Sequence, residues 1–168
     1  LVSVTLQEII SEVNVLLGID TREFVDLRFK LASDLPDVLG DTAQLRQVVL
    51  NLVANAMDAL DGQPGTIAIR TRHVEADTGL IHDWCLNPDH LKGRHFIMLE
   101  VEDTGCGMDE QTQARVFDPF FSTKETGHGL GLAAVKGIVA GHGGAIQVRS
   151  VPGKGTTMSV LLPIFEGE

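Results

Sequence analysis

A carboxylate at the end of an alternating apolar run is the first group in this chain placed for chemistry. Ile97, Leu99 and Val101 alternate with other residues, which predicts a strand with one buried face, and the run stops at Asp103. Gly105 and Gly107 follow at alternate positions, and Met108 comes next. Glycine tolerates positive φ and lets a ligand approach the backbone closely. An ionised carboxylate only accepts hydrogen bonds, so Asp103 suits a flat, amine-bearing heterocycle stacked on an apolar wall. Taken alone, Asp-x-Gly is also the mark of a plain turn.

A second set of polar groups lies along a helix predicted over Asp41 to Leu60. Leu45, Val48, Val49, Leu52, Val53, Ala56, Ala59 and Leu60 form one broad apolar arc. Gln44, Gln47, Asn51, Asn55 and Asp58 fall on a narrow opposite strip at helical spacing. A plain solvent face would carry Lys and Glu, whereas asparagine is a poor helix former. Amides held there against propensity suit contacts to a ligand or to metal-bound water. A third candidate is the run Gly127-x-Gly129-Leu130-Gly131-Leu132, which opens an apolar helix ending near Gly141. A glycine-rich helix entry offers free N–H groups at the positive dipole end, an anion site, although a packing hinge has the same glycines. Its spacing fits neither the dinucleotide-binding nor the P-loop fingerprint.

The elements that must position these groups are readable in outline. Thr5 to Leu17 predicts an amphipathic helix with a Thr5–Glu8 capping box and a Gly18 stop. Strands are expected at Val25–Leu31, Thr66–Arg72 and Phe96–Glu102, and a terminal hairpin at Ala145–Ser150 and Thr156–Leu162. Asp109 to Arg115 reads as a short polar helix, and Glu75 to Arg94 as an extended irregular loop. Val116 to Lys124 packs Phe117, Phe120 and Phe121 into five positions.

The chain has 168 residues and is 43% apolar and 21% charged, enough for one globular domain with a sizeable core. No apolar run reaches the ~18 residues that would span a bilayer. The net charge of −10 argues against a nucleic-acid partner, which needs a basic face for phosphates. Two cysteines, Cys85 and Cys106, form no disulfide framework and suggest a reducing compartment. Cys85 with His82 and His90 matches no standard zinc spacing.

Asn51-x3-Asn55, Asp103-x-Gly105-x-Gly107, Phe117 to Phe121, Gly127-x-Gly129-x-Gly131 and Gly153-x-Gly155-Thr156 occur in that order. The ordered set resembles the N, G1, F, G2 and G3 boxes of the catalytic ATP-binding domain of sensor histidine kinases, within the gyrase, Hsp90 and MutL superfamily. The likeness runs from about Asp41 to Leu162. It implies an α+β sandwich of the Bergerat type: a mixed, mostly antiparallel sheet with three main helices on one face. It also implies the cofactors ATP and Mg2+. On that resemblance Asp103 accepts from the adenine amine with Thr156 assisting, and Gly105, Gly107 and Met108 line the adenine pocket. Asn55 coordinates Mg2+, and Asn51 lies beside the phosphates. Gly127, Gly129, Leu130, Gly131 and Leu132 surround the phosphates with backbone N–H groups. Phe117 to Lys124 begins a lid, expected to be mobile around Ser122 to His128 without nucleotide. Lys124 contacts the γ-phosphate, where a point charge offsets charge in the transition state. Asp58, His128 and the long Glu75–Arg94 loop depart from the commonest pattern, although one subgroup resembling nitrogen-regulation kinases carries an acid at the position of Asp58.

ATP-hydrolysing relatives carry a general-base Glu where this chain has Asn51, and an amide takes no proton near pH 7. Slow hydrolysis and transfer to a protein acceptor are therefore expected, with Lys124 and Asn51 as the catalytic candidates. The resemblance implies an acceptor His on a separate dimerising helical hairpin, with residues 1–4 as a linker remnant, and a response-regulator receiver as downstream partner. It also implies a monomeric isolated domain, a homodimeric parent, and a cytoplasmic location whether or not the parent is membrane-anchored. Three other readings stay open on the residues alone: a non-catalytic nucleotide-binding module, a serine-kinase or ATPase relative, and an aspartic protease built on the Asp-Thr-Gly triplets at Asp77 and Asp103.

Overall fold

Alternation in the central strand sorts side chains to two unlike faces. A computed structural model describes residues 1–18, 23–84, 94–121 and 131–166. In chain order these form β1 (Val2–Val4), α1 (Leu6–Leu17), β2 (Val25–Leu31), β3 (Val38–Gly40), α2 (Thr42–Leu60), β4 (Gly65–Glu75) and α3 (Thr78–Asp83). After these come β5 (His95–Asp103), α4 (Glu110–Arg115), α5 (Gly131–Gly141), β6 (Ala145–Val151) and β7 (Gly155–Pro163). Five strands form one sheet in the order β2-β4-β5-β7-β6, with only β2 and β4 parallel. The parallel pair is what a strand, helix, strand crossover through α2 produces.

Ile97, Leu99 and Val101 of β5 point to the face covered by α1, α2 and α5, and join one core with Ile9, Leu45, Leu52, Val135 and Val160. The expected sandwich, with its mixed sheet and three main helices on one face, is the architecture observed. Phe96 and Met98 point the other way. There they meet Val74, Ile81 and Leu161 in a second, smaller core beneath α3. This corrects the reading of Glu75–Arg94 as wholly irregular. Asp77 caps α3 by accepting from the Leu80 N–H at 2.8 Å, and Leu80, Ile81 and Trp84 supply its apolar side. A six-residue helix is too short to show periodicity. Asp77 is thus a capping residue, which leaves the paired-Asp protease reading without its second loop.

The N-terminal segment also differs from expectation. Val2–Val4, expected as linker, pairs antiparallel with β3, and Val4 is buried. Thr5 begins α1 but makes no side-chain cap; its hydroxyl donates to Asp37 Oδ1 at 2.9 Å, and Ser3 donates to the other carboxylate oxygen. The capping box is replaced by a clasp to the turn before β3. At α2 the expected cap is present, with Asp41 Oδ1 accepting from the Gln44 N–H at 2.9 Å.

Helices α2 and α5 lie antiparallel, and α5 is pinned to α2 near both of its ends. Near the middle of α2, Asn51 Nδ2 donates to the Gly131 carbonyl at 3.1 Å. At the start of α2, the Asp41 N–H donates to His142 Nε2 at 3.0 Å, and His142 Nδ1–H donates to the Ile138 carbonyl at 2.8 Å. The two bonds fix a neutral imidazole with its proton on Nδ1. His142 is only 6% exposed, so its loss would orphan buried backbone groups as well as leave a void. His142→Ala is expected to destabilise the domain by roughly 2–3 kcal/mol in urea unfolding. A change below about 0.5 kcal/mol, the scale of a surface substitution, would show that the pin is dispensable.

Candidate functional site

The antiparallel registers place Asp103 opposite Thr156, and Thr156 opposite Ser150. Directly opposed residues share a sheet face. Side chains at the ends of three adjacent strands, β5, β7 and β6, therefore form a polar row on the helix side. Asp103 is 4% exposed and Thr156 is 5% exposed. A carboxylate in such a place must be hydrogen-bonded, and the Gly105 N–H donates to Asp103 Oδ1 at 2.8 Å. Burial pushes the Asp103 carboxyl above its ordinary value; the Gly105 and Thr156 backbone N–H groups pull it back, and neighbouring Glu102 raises it slightly. Glu102 points to the outer face, where Arg70 pairs with it at 2.5 Å. A cavity of about 170 Å³ on that outer face is lined by Arg28, Lys30, Arg70, Glu102 and Thr104. It lies across the sheet from Asp103 and takes no part in the polar row.

The loop after Asp103 is wedged between two backbones. A Cβ on Gly105 would sit 2.4 Å from the Ala59 carbonyl oxygen at the end of α2. A Cβ on Gly107, whose φ is +69°, would sit 2.1 Å from the Val151 carbonyl oxygen. Close packing on the protein's own chain is therefore a physical reason for both glycines, beside the ligand approach expected from sequence. Two further bonds hold the wedge: the Cys106 N–H donates to Ala59 O at 3.1 Å, and the Gly153 N–H donates to Cys106 O at 2.7 Å. Met108 packs half-buried against the main core, and its N–H donates to Ser150 Oγ at 2.7 Å. Gln113 ties the same loop down, donating to Met108 O at 2.9 Å and Ser150 O at 3.0 Å.

On α2 the two amides have different surroundings. Asn51 has both ends engaged: Oδ1 accepts from Gln47 Nε2 at 2.8 Å while Nδ2 holds Gly131. Asn55, half-buried one turn on, has no side-chain hydrogen bond among the described residues. Asp58 lies exposed at the far end of the strip. Phe117 packs against the main core, with the Lys136 ammonium 5.8 Å from its ring centroid. Leu132 also packs against that core, and Gly131 is open to solvent apart from the Asn51 side chain. Lys124, Gly127, Gly129 and Leu130, with the expected mobile lid, lie outside the described residues.

Sequence reasoning missed Ser150, Gln113 and His142. Ser150 was within reach, because a hairpin with Pro152–Lys154 at its tip puts Ser150 opposite Thr156.

The geometry has known counterparts. A family model described as histidine kinase-, DNA gyrase B- and HSP90-like ATPase matches residues 40–166. The sensor kinase CckA of Brucella abortus (strain 2308) is 37% identical over 161 residues, which is 94% of this chain and 16% of that protein. This chain thus spans about a sixth of that relative's length. Among solved structures, the nucleotide-free catalytic domain of histidine kinase ThkA superposes with a TM-score of 0.75 at 28% identity, covering 97% of this chain and 95% of that one. Full-length ShkA in complex with AMPPNP superposes with a TM-score of 0.74 at 26% identity, covering 99% of this chain and 32% of that one.

The raised Asp103 value carries a stability prediction with a definite sign. The folded chain holds this proton more tightly than the unfolded chain, whose value is near 3.8. The stabilisation is full below that pH and is lost as pH rises through the folded value. In the ligand-free chain the ionised group therefore works against folding at neutral pH. Asp103→Asn is expected to leave the urea midpoint at pH 7 unchanged or higher, and to flatten its fall as pH rises above the unfolded value of 3.8. A loss above about 1 kcal/mol would mean that the carboxylate is a structural necessity.

Proposed function

We infer the function of this chain from one premise: it belongs to the histidine kinase-, DNA gyrase B- and HSP90-like ATPase family and is the catalytic ATP-binding domain of a sensor histidine kinase. Residues 1–168 are read as a single such domain. It binds ATP and donates the γ-phosphate to a histidine on a separate helical hairpin. The observation that carries the residue roles is Asp103: a carboxylate 4% exposed, raised by desolvation, at the end of a central strand. A fold keeps such a group against its own stability where a ligand needs it. Asp103 accepts from the exocyclic amine of adenine, Thr156 assists, and Gly105, Gly107 and Met108 form the pocket wall.

Asn55 is the metal candidate. Its amide oxygen is a hard donor with no hydrogen-bond partner among the described residues. No cluster of three or more His, Cys, Asp or Glu suited to a metal ion occurs among them either. That donor set fits Mg2+, which keeps several waters and takes one or two protein oxygens together with substrate phosphates. When bound, the ion would neutralise charge on the phosphate oxygens. Asn51 acts from beside it as a positioning residue, holding Gly131, so that Gly131 and Leu132 face the phosphates with Phe117 behind. Lys124, Gly127, Gly129 and Leu130 complete the phosphate side in this reading.

An amide at Asn51 offers no base for water, so steady hydrolysis by this domain is slow. The phosphoryl group passes to an acceptor domain, and from it to a response-regulator receiver. The domain is read as a cytoplasmic monomer whose parent dimerises through the hairpin. Among the described residues no helix is long and apolar enough to cross a membrane.

Calorimetric titration of Mg·ADP tests the reading. The parent chain is expected to bind. Asp103→Asn should bind at least tenfold more weakly, since a hydrogen bond to a charged group contributes about 1.5–3 kcal/mol. Asn55→Ala should bind ADP with much less dependence on Mg2+. Added His-bearing hairpin should become phosphorylated from ATP. Equal binding by parent and Asp103→Asn would place the base elsewhere, and rapid steady hydrolysis without acceptor would overturn the kinase assignment.

A further inference from the structure

The Ser150 hydroxyl makes three contacts, and together they fix where two protons lie. The Met108 N–H donates to Ser150 Oγ at 2.7 Å. Ser150 Oγ lies 3.0 Å from the Gly155 carbonyl oxygen, which can only accept, so Ser150 donates there. Ser150 Oγ also lies 2.7 Å from Thr156 Oγ1. A serine hydroxyl has one proton and two lone pairs. The proton goes to Gly155, and one lone pair takes the Met108 N–H. The second lone pair must take the Thr156 hydroxyl proton. Thr156 Oγ1 is left with lone pairs and no hydrogen to offer.

This has a consequence one strand away. Thr156 stands directly opposite Asp103, on the same face of the sheet. The ionised Asp103 carboxylate is itself acceptor-only. The two side chains at this end of the row therefore present only acceptors, and whatever meets them, base edge or bridging water, must donate. Adenine has an amine at this edge. A 6-oxopurine has a carbonyl at that position, beside a ring N–H that can still donate, so its oxygen would face lone pairs across a desolvated gap. Leaving such a group unpaired is far more costly than losing a neutral contact.

The geometry points to Ser150 as a specificity-determining residue. By holding the Thr156 proton, it makes the base pocket read a purine amine and refuse a purine carbonyl. The inference rests on the assignment of Asp103 and Thr156 to the base. It adds a residue outside that assignment and a mechanism based on proton order. Ser150 touches no substrate in this scheme and acts through Thr156. Removing its oxygen frees the Thr156 hydroxyl to rotate and donate to a 6-oxo group. It also orphans the Met108 N–H, which weakens all nucleotides alike.

The test is a titration of Mg·ADP and Mg·IDP, which differ at the purine 6-position, into the parent, Ser150→Ala, Ser150→Thr and Gln113→Ala. The parent is expected to prefer ADP. In Ser150→Ala the ADP-to-IDP affinity ratio should fall about tenfold, the scale of one redirected hydrogen bond. Ser150→Thr restores a hydroxyl and should restore the ratio. Gln113→Ala loosens the same loop through Met108 O and Ser150 O without touching the hydroxyl chain, so it should weaken both nucleotides and leave the ratio alone. A ratio unchanged in a folded Ser150→Ala would overturn the inference while leaving the adenine site standing. A ratio that falls equally in Gln113→Ala would reduce Ser150 to a loop tether. A parent that binds neither nucleotide would remove the adenine site and this inference together. Should Ser150→Ala fail to fold, a parent-like ratio in Ser150→Thr with a lowered one in Ser150→Cys would carry the same conclusion, and equal ratios in both would reject it.

Discussion

A charged group at the end of a central strand sets the terms for everything around it. Asp103 occupies the core-facing register of β5, where its predecessors are Ile97, Leu99 and Val101. Continuing that alternation with a carboxylate requires donors, and the loop that follows and the strand beside it supply them through the Gly105 and Thr156 N–H groups. The loop can turn back on Asp103 only if Gly105 and Gly107 fit against Ala59 and Val151. The end of α2 and the β6–β7 turn are therefore held at fixed spacings by the needs of one side chain.

The amide strip on α2 shows a division of labour that a helical wheel alone does not reveal. Asn51 is consumed by the protein, bridging Gln47 to the carbonyl of Gly131. Asn55 is not engaged by any described residue. One amide links α2 to α5, and the other has no side-chain hydrogen bond among the described residues. His142 performs the same service as Asn51 at the opposite end of the helix pair, through ring nitrogens instead of an amide. The helix that bears the metal candidate is thus located by two side-chain pins at different points along α5, in addition to its apolar arc.

Long, strongly periodic segments were legible in the sequence. The arc from Leu45 to Leu60, the alternation in β5 and the terminal hairpin each repeat often enough to identify themselves. The short pieces were not. Three-residue strands such as β1 and β3 have no period, and α3 shows only Leu80, Ile81 and Trp84 among polar neighbours. At Gly105 and Gly107 the sequence suggests room for a ligand, and the backbone that excludes a Cβ there is the protein's own. Hydrogen-bond direction was out of reach, because the proton order at Ser150 depends on three partners in two separate segments, Met108 in one and Gly155 with Thr156 in the other. His142 was opaque for a similar reason, since its two partners lie 4 and 101 residues away.

The strand order has a consequence for how such a chain is made. β5 is central, yet one of its neighbours is β7, which lies more than fifty residues further along the chain. During synthesis β4 and β5 can pair as soon as they emerge, leaving the other edge of β5 unpaired and apolar on its helix side. An exposed edge of that kind is a template for intermolecular pairing. Until β7 arrives, three of the five strands can pair, β2, β4 and β5, and closure by β7 covers that edge. The same closure sets Thr156 opposite Asp103, so the polar row at the strand ends is completed by the strand that covers the exposed edge.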